Sequence, residues 1–246
     1  LVEAAWRLLA SLNPARLEEE YKAREVAQGL RVEEPLALRL DGVSWGRRLR
    51  GRYSWPRDER VHRAEARAAA EALMLLGADL GYVTSDEISI LWISRRPPYG
   101  GRVEKLDSVA AGAASSRVSL ELGEALFYDA RVVKLYSRRD AALYILHRAR
   151  VGLNNYLTSL YHRIATGRRE TPSLRVVAEA LEAHGMGPSR LPPWALYGSC
   201  VTRLPSVKKG EGVEAERRRL VVLPGFEACL EALGVRAEEA LGAGNG

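Results

Sequence analysis

The run "GYVTSDEISILWI", residues 81–93, constrains the fold more than any other stretch of the chain. On either side of Asp86 and Glu87 the residues are β-branched, aromatic or aliphatic, as in strands, while the polar centre has the composition of a tight turn. The pattern predicts two short strands joined by a hairpin whose tip carries two adjacent carboxylates. Strands of this kind need partners beside them and helices over them.

Those partners are legible. "PLALRLDG" alternates, with Leu36, Leu38 and Leu40 facing one side and Ala37, Arg39 and Asp41 the other, and predicts a strand that ends at Asp41. "RDERVHRAEARAAAEALMLLGAD" predicts a helix between that strand and the hairpin. "RVEKLDSVAAGAASSRVSLEL", "DAALYILHRARVGLNNYLTSLYHRIATG" and "SLRVVAEALEAHG" predict further helices, and "ALFYDARVVKLY" another strand. The closing "LYGSCVTRLPSVKKGEGVEAERRRLVVLP" predicts two strands joined by a charged turn, with a last helix near Phe226 and a frayed "LGAGNG" tail. Asn13, Pro14 and Gly29 mark the start and stop of an N-terminal helix of about four turns. The expected class is α+β: a largely antiparallel sheet with helices covering one face. Residues 1–138 would form a catalytic core, and 139–246 a helical and β-hairpin lobe packed on it.

With 246 residues, 47% of them hydrophobic, the chain can bury a sizeable core. No window approaches the roughly 20 apolar residues of a membrane span, and charge interrupts the first apolar run, unlike a secretory signal, so a cytoplasmic, membrane-free protein is expected. Cys200 and Cys229 have no companions at zinc-site spacing and read as core thiols rather than a disulfide framework. His62, His147, His162 and His184 also lack ligand spacing and read as helix-face residues. The stripe of Tyr144, Ile145, Leu153, Tyr156 and Leu160 reads as core or subunit interface. The net charge of +6, carried mostly by arginine, favours a polyanionic partner.

One helix separates Asp41 from Asp86 and Glu87, so the simplest packing sets their strands side by side and brings three carboxylates together. Like charges at that spacing repel unless a cation offsets them, and a hard divalent ion such as Mg²⁺ suits oxygen ligands. Two such ions at a phosphoryl-transfer site would activate a hydroxyl and hold a triphosphate. Gly42 lets the backbone approach metal or phosphate, and the amides after it can cradle phosphates. Solvated turn formers would also account for acids at these positions.

The order of the motifs carries a resemblance. "LRLDG", "WPRDERVHRAEARAAAEAL", "GYVTSDEISILW", "RVEKLDSVAAGAASS", "FYDARVV" and "ARVGLNNYLTSLYH" together resemble the tRNA-His guanylyltransferase family, and in particular its guanylyltransferase-like branch. The resemblance implies a palm like that of polymerases and nucleotidyl cyclases. It implies two Mg²⁺ ions held by Asp41, the Gly42 carbonyl and Asp86, with Glu87 as electrostatic support. Nucleotide and phosphate would be bound by Val43, Ser44, Trp45, Asp58, Ser85, Arg102, Lys105 and Arg131. Arg57, Asn154 and Asn155 would meet tRNA or a second nucleotide. The implied reaction extends the tRNA 5′ end in the 3′-to-5′ direction with ATP and GTP as substrates, in a homotetramer. The chain departs from the family pattern at Gly46, Trp55, Arg57 and Gly152, where the family has histidine, lysine, asparagine and histidine, which favours repair of truncated 5′ ends over strict tRNA-His specificity. A cyclase-like palm enzyme and a non-catalytic tRNA-binding protein are the competing readings.

Overall fold

The computed structural model describes residues 2–165, 170–210 and 213–242. In chain order its elements are α1 (Val2–Ala10), α2 (Pro14–Lys22), β1 (Leu36–Gly42), α3 (Trp45–Arg48), α4 (Glu59–Leu75), β2 (Leu80–Thr84), β3 (Glu87–Trp92), α5 (Val103–Leu122) and β4 (Tyr128–Lys134). They continue with α6 (Arg138–Ile164), α7 (Leu174–Ala183), α8 (Pro193–Tyr197), β5 (Ser199–Gly210), β6 (Val213–Pro224), α9 (Glu227–Leu233) and α10 (Ala237–Leu241).

The six strands form one sheet in the order β4-β1-β3-β2-β5-β6. Every neighbouring pair is antiparallel. The alternation of β1 is realised as its sequence requires. Leu36, Leu38 and Leu40 join Ile88 and Ile90 in a core under α4 and α5, where Ala68, Ala72, Ala110 and Ala114 keep the helices close to the strands. Ala37, Tyr82 and Leu91 face the opposite way, against Ala141, Ile145 and Ala149 of α6 and Leu230 and Leu233 of α9. Helices therefore cover both faces, where one was expected. The cause lies in Leu80, Tyr82 and Leu91 of β2 and β3, apolar residues on the face away from α4 and α5, so that neither face can be left to water.

The boundary expected near residue 138 does not end the sheet. β5 pairs with β2, and β6 with β5, so the C-terminal strands extend the sheet that the N-terminal half begins. α6 starts at that boundary, capped by Ser137, whose hydroxyl accepts the Asp140 N–H at 3.0 Å. The far end of α6 packs with α7 and α8 in a third cluster that includes Tyr156, Leu160, Val177, Leu181 and Leu196.

Two further expectations need correction. The N-terminal helix starts as read, with the Asn13 side chain accepting the Arg16 N–H at 3.1 Å, but it stops at Lys22. None of its side chains is buried, so no packing extends it towards Gly29. Cys200 and Cys229 are not free core thiols: they are joined as a disulfide between β5 and α9. Spacing could not reveal this, because the sheet rather than the sequence brings β5 beneath α9. The turn at 211–212 and most of the "LGAGNG" tail lie outside the described residues. No helix among the described residues is long and apolar enough to cross a membrane.

Candidate active site

β1 and the β2–β3 hairpin bring the expected carboxylates to one end of the sheet. Asp41 stands opposite Glu87 on one side and Asp129 on the other. The Gly42 N–H donates to the Asp86 carbonyl oxygen at 2.9 Å and clamps the hairpin tip to the end of β1. Ser85, at the tip, takes a left-handed φ of 60°, which is uncommon for a residue with a side chain. Asp41, Arg39 and Glu87 occupy the parity opposite to the β1 leucines and so lie on the α6 face.

Charge is unevenly balanced there. Burial pushes the Asp41 carboxyl up, Asp86 and Asp129 push it further, and Arg39 and Arg131 offset part of the rise. Arg39 approaches Asp41 only to 3.7 Å, and Arg131 is spent on Asp129. Glu87 is different. Its carboxylate forms a buried ion pair with Arg148 of α6, although burial still raises its pKa more than the arginine lowers it. Glu87, expected as an electrostatic neighbour of the metal ligands rather than a ligand itself, is engaged by Arg148. Among the described residues, no three His, Cys, Asp or Glu side chains are grouped to hold a metal. Two carboxylates, Asp41 and Asp86, and the backbone oxygen of Gly42 are left as hard donors. The uncompensated negative charge on Asp41 makes that set a fit for Mg²⁺.

The other expected residues divide. The Val43 N–H is bonded to the Phe127 carbonyl at 2.8 Å and is not free to cradle phosphate. Trp45 is 2% exposed, donates its indole N–H to the same carbonyl at 2.9 Å and tilts against Tyr128. It is a plug beneath Gly42, and a Cβ on Gly42 would meet its ring at 2.8–2.9 Å. Ser44 precedes it with a left-handed φ of 59°. Asp58 caps α4, accepting the N–H groups of Ser54 and Arg60, and the Arg60 guanidinium holds its carboxyl far below the usual range. Arg102 is not brought to the carboxylates. Arg102 bridges to Arg31, upstream of β1, and the strand between spans roughly 17 Å.

A cavity of about 440 Å³ adjoins Asp86 and Ser85. Tyr53, Trp55, Tyr156 and Trp194 contribute aromatic surface to it, and Arg57, Glu65 and Asn155 polar groups, while Asn154 is not among its lining residues. The Arg57 guanidinium donates to the Gly152 carbonyl at 2.9 Å and lies 5.5 Å from the Tyr156 ring centre, and its Nη1 is buried with no partner among the described residues. Burial lowers its pKa, offset in part by Glu65 and Asp86. Glu65 is 1% exposed, 3.4 Å from the Tyr128 hydroxyl, and burial together with Asp86 drives its carboxyl well above the carboxylate range. His62, expected on a helix face, is buried: Nε2 lies 2.8 Å from the Ser199 hydroxyl and the ring stacks on Trp194. Gly152 has its own reason. Any Cβ there would collide with the Thr84 side chain, so the glycine lets α6 lie on the end of β2.

The family model for tRNAHis guanylyltransferase (Thg1) matches residues 18–143, slightly more than half of the chain. The chain belongs to the tRNAHis guanylyltransferase family. It is accordingly a nucleotidyltransferase of that type, and the matched span takes in β1 through β4, including both carboxylates of the site. Its fold is shared with a bacterial tRNA(His) guanylyltransferase-like protein in complex with ATP, at TM-score 0.70 and 19% identity over 83% of this chain and 91% of that one. The same kind of protein in complex with GTP gives TM-score 0.69 and 20% identity over 88% and 96%. The Saccharomyces cerevisiae tRNA(His) guanylyltransferase gives 0.57 and 16% over 76% and 89%. A search of curated proteins finds no match.

Against the tRNAHis guanylyltransferase pattern, two departures prove to be one arrangement: the arginine at 57 donates to the backbone that the glycine at 152 exposes. Sequence reasoning missed Arg148 and Glu65. Both carried a signal, because each interrupts an otherwise apolar helix stripe. Arg148 sits among Ile145, Ala149, Gly152 and Tyr156, and Glu65 lies three, four and seven residues before Ala68, Ala69 and Ala72.

Proposed function

We propose that this protein is a Mg²⁺-dependent 3′-to-5′ nucleotidyltransferase that adds nucleotides, typically guanosine, to the 5′ end of tRNA, built on a polymerase-like palm and assembled as a homotetramer. The observation that carries the reading is the clamped pair Asp41 and Asp86, joined through the Gly42 amide, in a chain of this family. ATP and GTP as substrates are supported by the complexes of the bacterial relatives.

In the first step a 5′-phosphate oxygen of the tRNA attacks the α-phosphorus of ATP or GTP, the α–β P–O bond breaks and pyrophosphate leaves. In the second, the 3′-hydroxyl of the incoming nucleotide attacks the activated 5′-phosphorus, loses its proton and displaces the nucleoside monophosphate. A 5′-triphosphate RNA enters at the second step. Asp41, the Gly42 carbonyl and Asp86 would hold the ions, which supply charge neutralisation and a more acidic attacking hydroxyl. Glu87, fixed by Arg148, holds the β3 side of the tip in register. Ser85 and the amides of Ser44 and Trp45 are left to meet phosphate, while Arg131 flanks the carboxylates. The aromatic walls of the cavity suit a nucleobase, with Arg57 and Asn155 as donors at its edge.

The deciding assay supplies ATP, GTP and Mg²⁺ with 5′-monophosphorylated tRNA-His lacking its extra guanosine, beside a 5′-truncated tRNA of another identity. Products one nucleotide longer on the first or template-length on the second are expected. Turnover that survives Asp86→Ala would overturn the assignment of the site.

A further inference from the structure

At the end of the sheet opposite the carboxylates, a second cavity of about 200 Å³ is lined by Arg95, just past β3, Arg138, the first residue of α6, Arg203 of β5 and Arg218 of β6. Asp79 is the one carboxylate among its described lining residues. That carboxylate is already spent. Its Oδ2 accepts the N–H groups of Ile93, Ser94 and Arg95 at 2.7, 2.9 and 3.1 Å, and its Oδ1 lies 3.3 Å from Arg95 Nε. Among the described residues, Arg203 donates to the Ala78 carbonyl at 2.7 Å and Arg138 to the Ser94 hydroxyl at 3.4 Å, both neutral acceptors.

Four guanidinium groups around one small cavity repel each other. Burial, and then Arg95 and Arg218, pull the Arg203 pKa down, and Asp79 offsets only part of the fall. Among the described residues the ladder that joins β2, β5 and β6 is made by main-chain groups and does not depend on these side chains. A tetrahedral oxyanion relieves the repulsion, since planar guanidinium forks pair with phosphate oxygens in two-point contacts.

We propose that this four-arginine pocket binds a phosphate group of the tRNA backbone, distant from the reacting 5′ end. The inference rests on the proposed tRNA substrate. Six residue steps along β2 separate Asp79 from Ser85, roughly 20 Å, a distance that a nucleic-acid duplex spans and a single nucleoside triphosphate does not. Arg102, bridged to Arg31 upstream of β1, lies towards this same end of the sheet. The molecule thus separates a carboxylate end, for chemistry, from an arginine end, for grip.

The test is charge reversal of the two exposed pocket arginines, R138E/R218E, in the full chain, with thermal unfolding checked against wild type. Binding is measured over a series of salt concentrations for tRNA and for a short RNA duplex of unrelated sequence, and ATP binding is measured alongside. The expected result is a loss of at least about tenfold in affinity for both RNAs, a salt dependence flatter by one to two phosphate contacts, and unchanged ATP binding. Equal RNA affinity and equal salt slope in the variant would overturn the site. So would competition by pyrophosphate or ATP that vanishes in the variant, which would identify a free-phosphate site, and so would a changed oligomeric mass with RNA affinity intact. Duplex binding that depends on the arginines while wild type extends no tRNA would leave the site standing and remove the proposed function instead.

Discussion

At the residue scale, the site is governed by what glycine permits. Gly42 has no Cβ because the Trp45 ring fills the space where one would stand, and the tryptophan is held from behind by the Phe127 carbonyl. Gly42→Ala must push either the indole or the end of β1, at a cost of about 1–3 kcal/mol. A displacement of Asp41 of even about 1 Å would slow transfer roughly 100-fold. Thermal unfolding and single-turnover transfer measured on the same variant check both numbers, and a variant with normal rate would show that the contact does not position Asp41. His62 makes a second residue-scale prediction. Burial, and secondarily Arg57, lower its pKa to about 4 in the folded protein, against 6.5 as the ordinary value. Between those pH values the unfolded chain binds more protons than the folded one, so this group's contribution falls as pH drops from 6.5 towards 4. The stability penalty of His62→Asn at pH 7.5 should therefore shrink by about 2 kcal/mol at pH 4.5. Denaturant unfolding at the two pH values decides it, and an equal penalty at both would mean that His62 does not titrate as a buried neutral group.

At the element scale, α6 does more than cover a face of the sheet. Its Arg148 reaches the Glu87 carboxylate at the start of β3, with side chains only 7% and 15% exposed, so the helix is locked to the hairpin beside Asp86. Removing one partner leaves the other buried and unpaired. Arg148→Met is expected to cost about 3 kcal/mol in stability and to depress transfer, and adding Glu87→Gln should restore part of both. Stability and rate compared across this double-mutant cycle test it; strictly additive effects would mean that the pair is not coupled. How legible such elements were follows from the range of the forces that make them. β1, the hairpin, α4, α5 and α6 are set by local periodicity, and their residues read correctly. The second covered face also had a local signature, Leu80, Tyr82 and Leu91 on the side away from the β1 leucines, but its meaning depended on which helix would arrive. The Cys200–Cys229 disulfide, the Arg148–Glu87 pair and the placement of Arg102 far from Asp41 are products of strand order. A chain read in one dimension does not disclose that β5 lies beside β2 or that α5 begins at the other end of the sheet.

At the scale of the whole molecule, cohesion resides in the sheet and the helices over its two faces, while no described side chain of the first two helices belongs to the three buried clusters. α2 buries no side chain, and Trp6, Leu8, Leu9 and Leu12 around α1 are 48–69% exposed. Backbone hydrogen bonds tie the segment that follows to the body: the Leu30 carbonyl accepts the Val103 N–H at 3.2 Å, and the Val32 N–H donates to the Gly101 carbonyl at 2.9 Å. Deleting residues 1–28 removes no residue of the buried clusters and should leave the midpoint of thermal unfolding within about 4 °C of the full chain, the shift that roughly 1 kcal/mol produces at this size. An apolar ridge of this kind is also what copies of the chain would use to meet, so light scattering belongs in the same experiment. A lower mass with an unchanged midpoint would assign the ridge to assembly. A midpoint that falls by 10 °C, with the mass unchanged, would show instead that the N-terminal helices are part of the folded body and that the two cores need them.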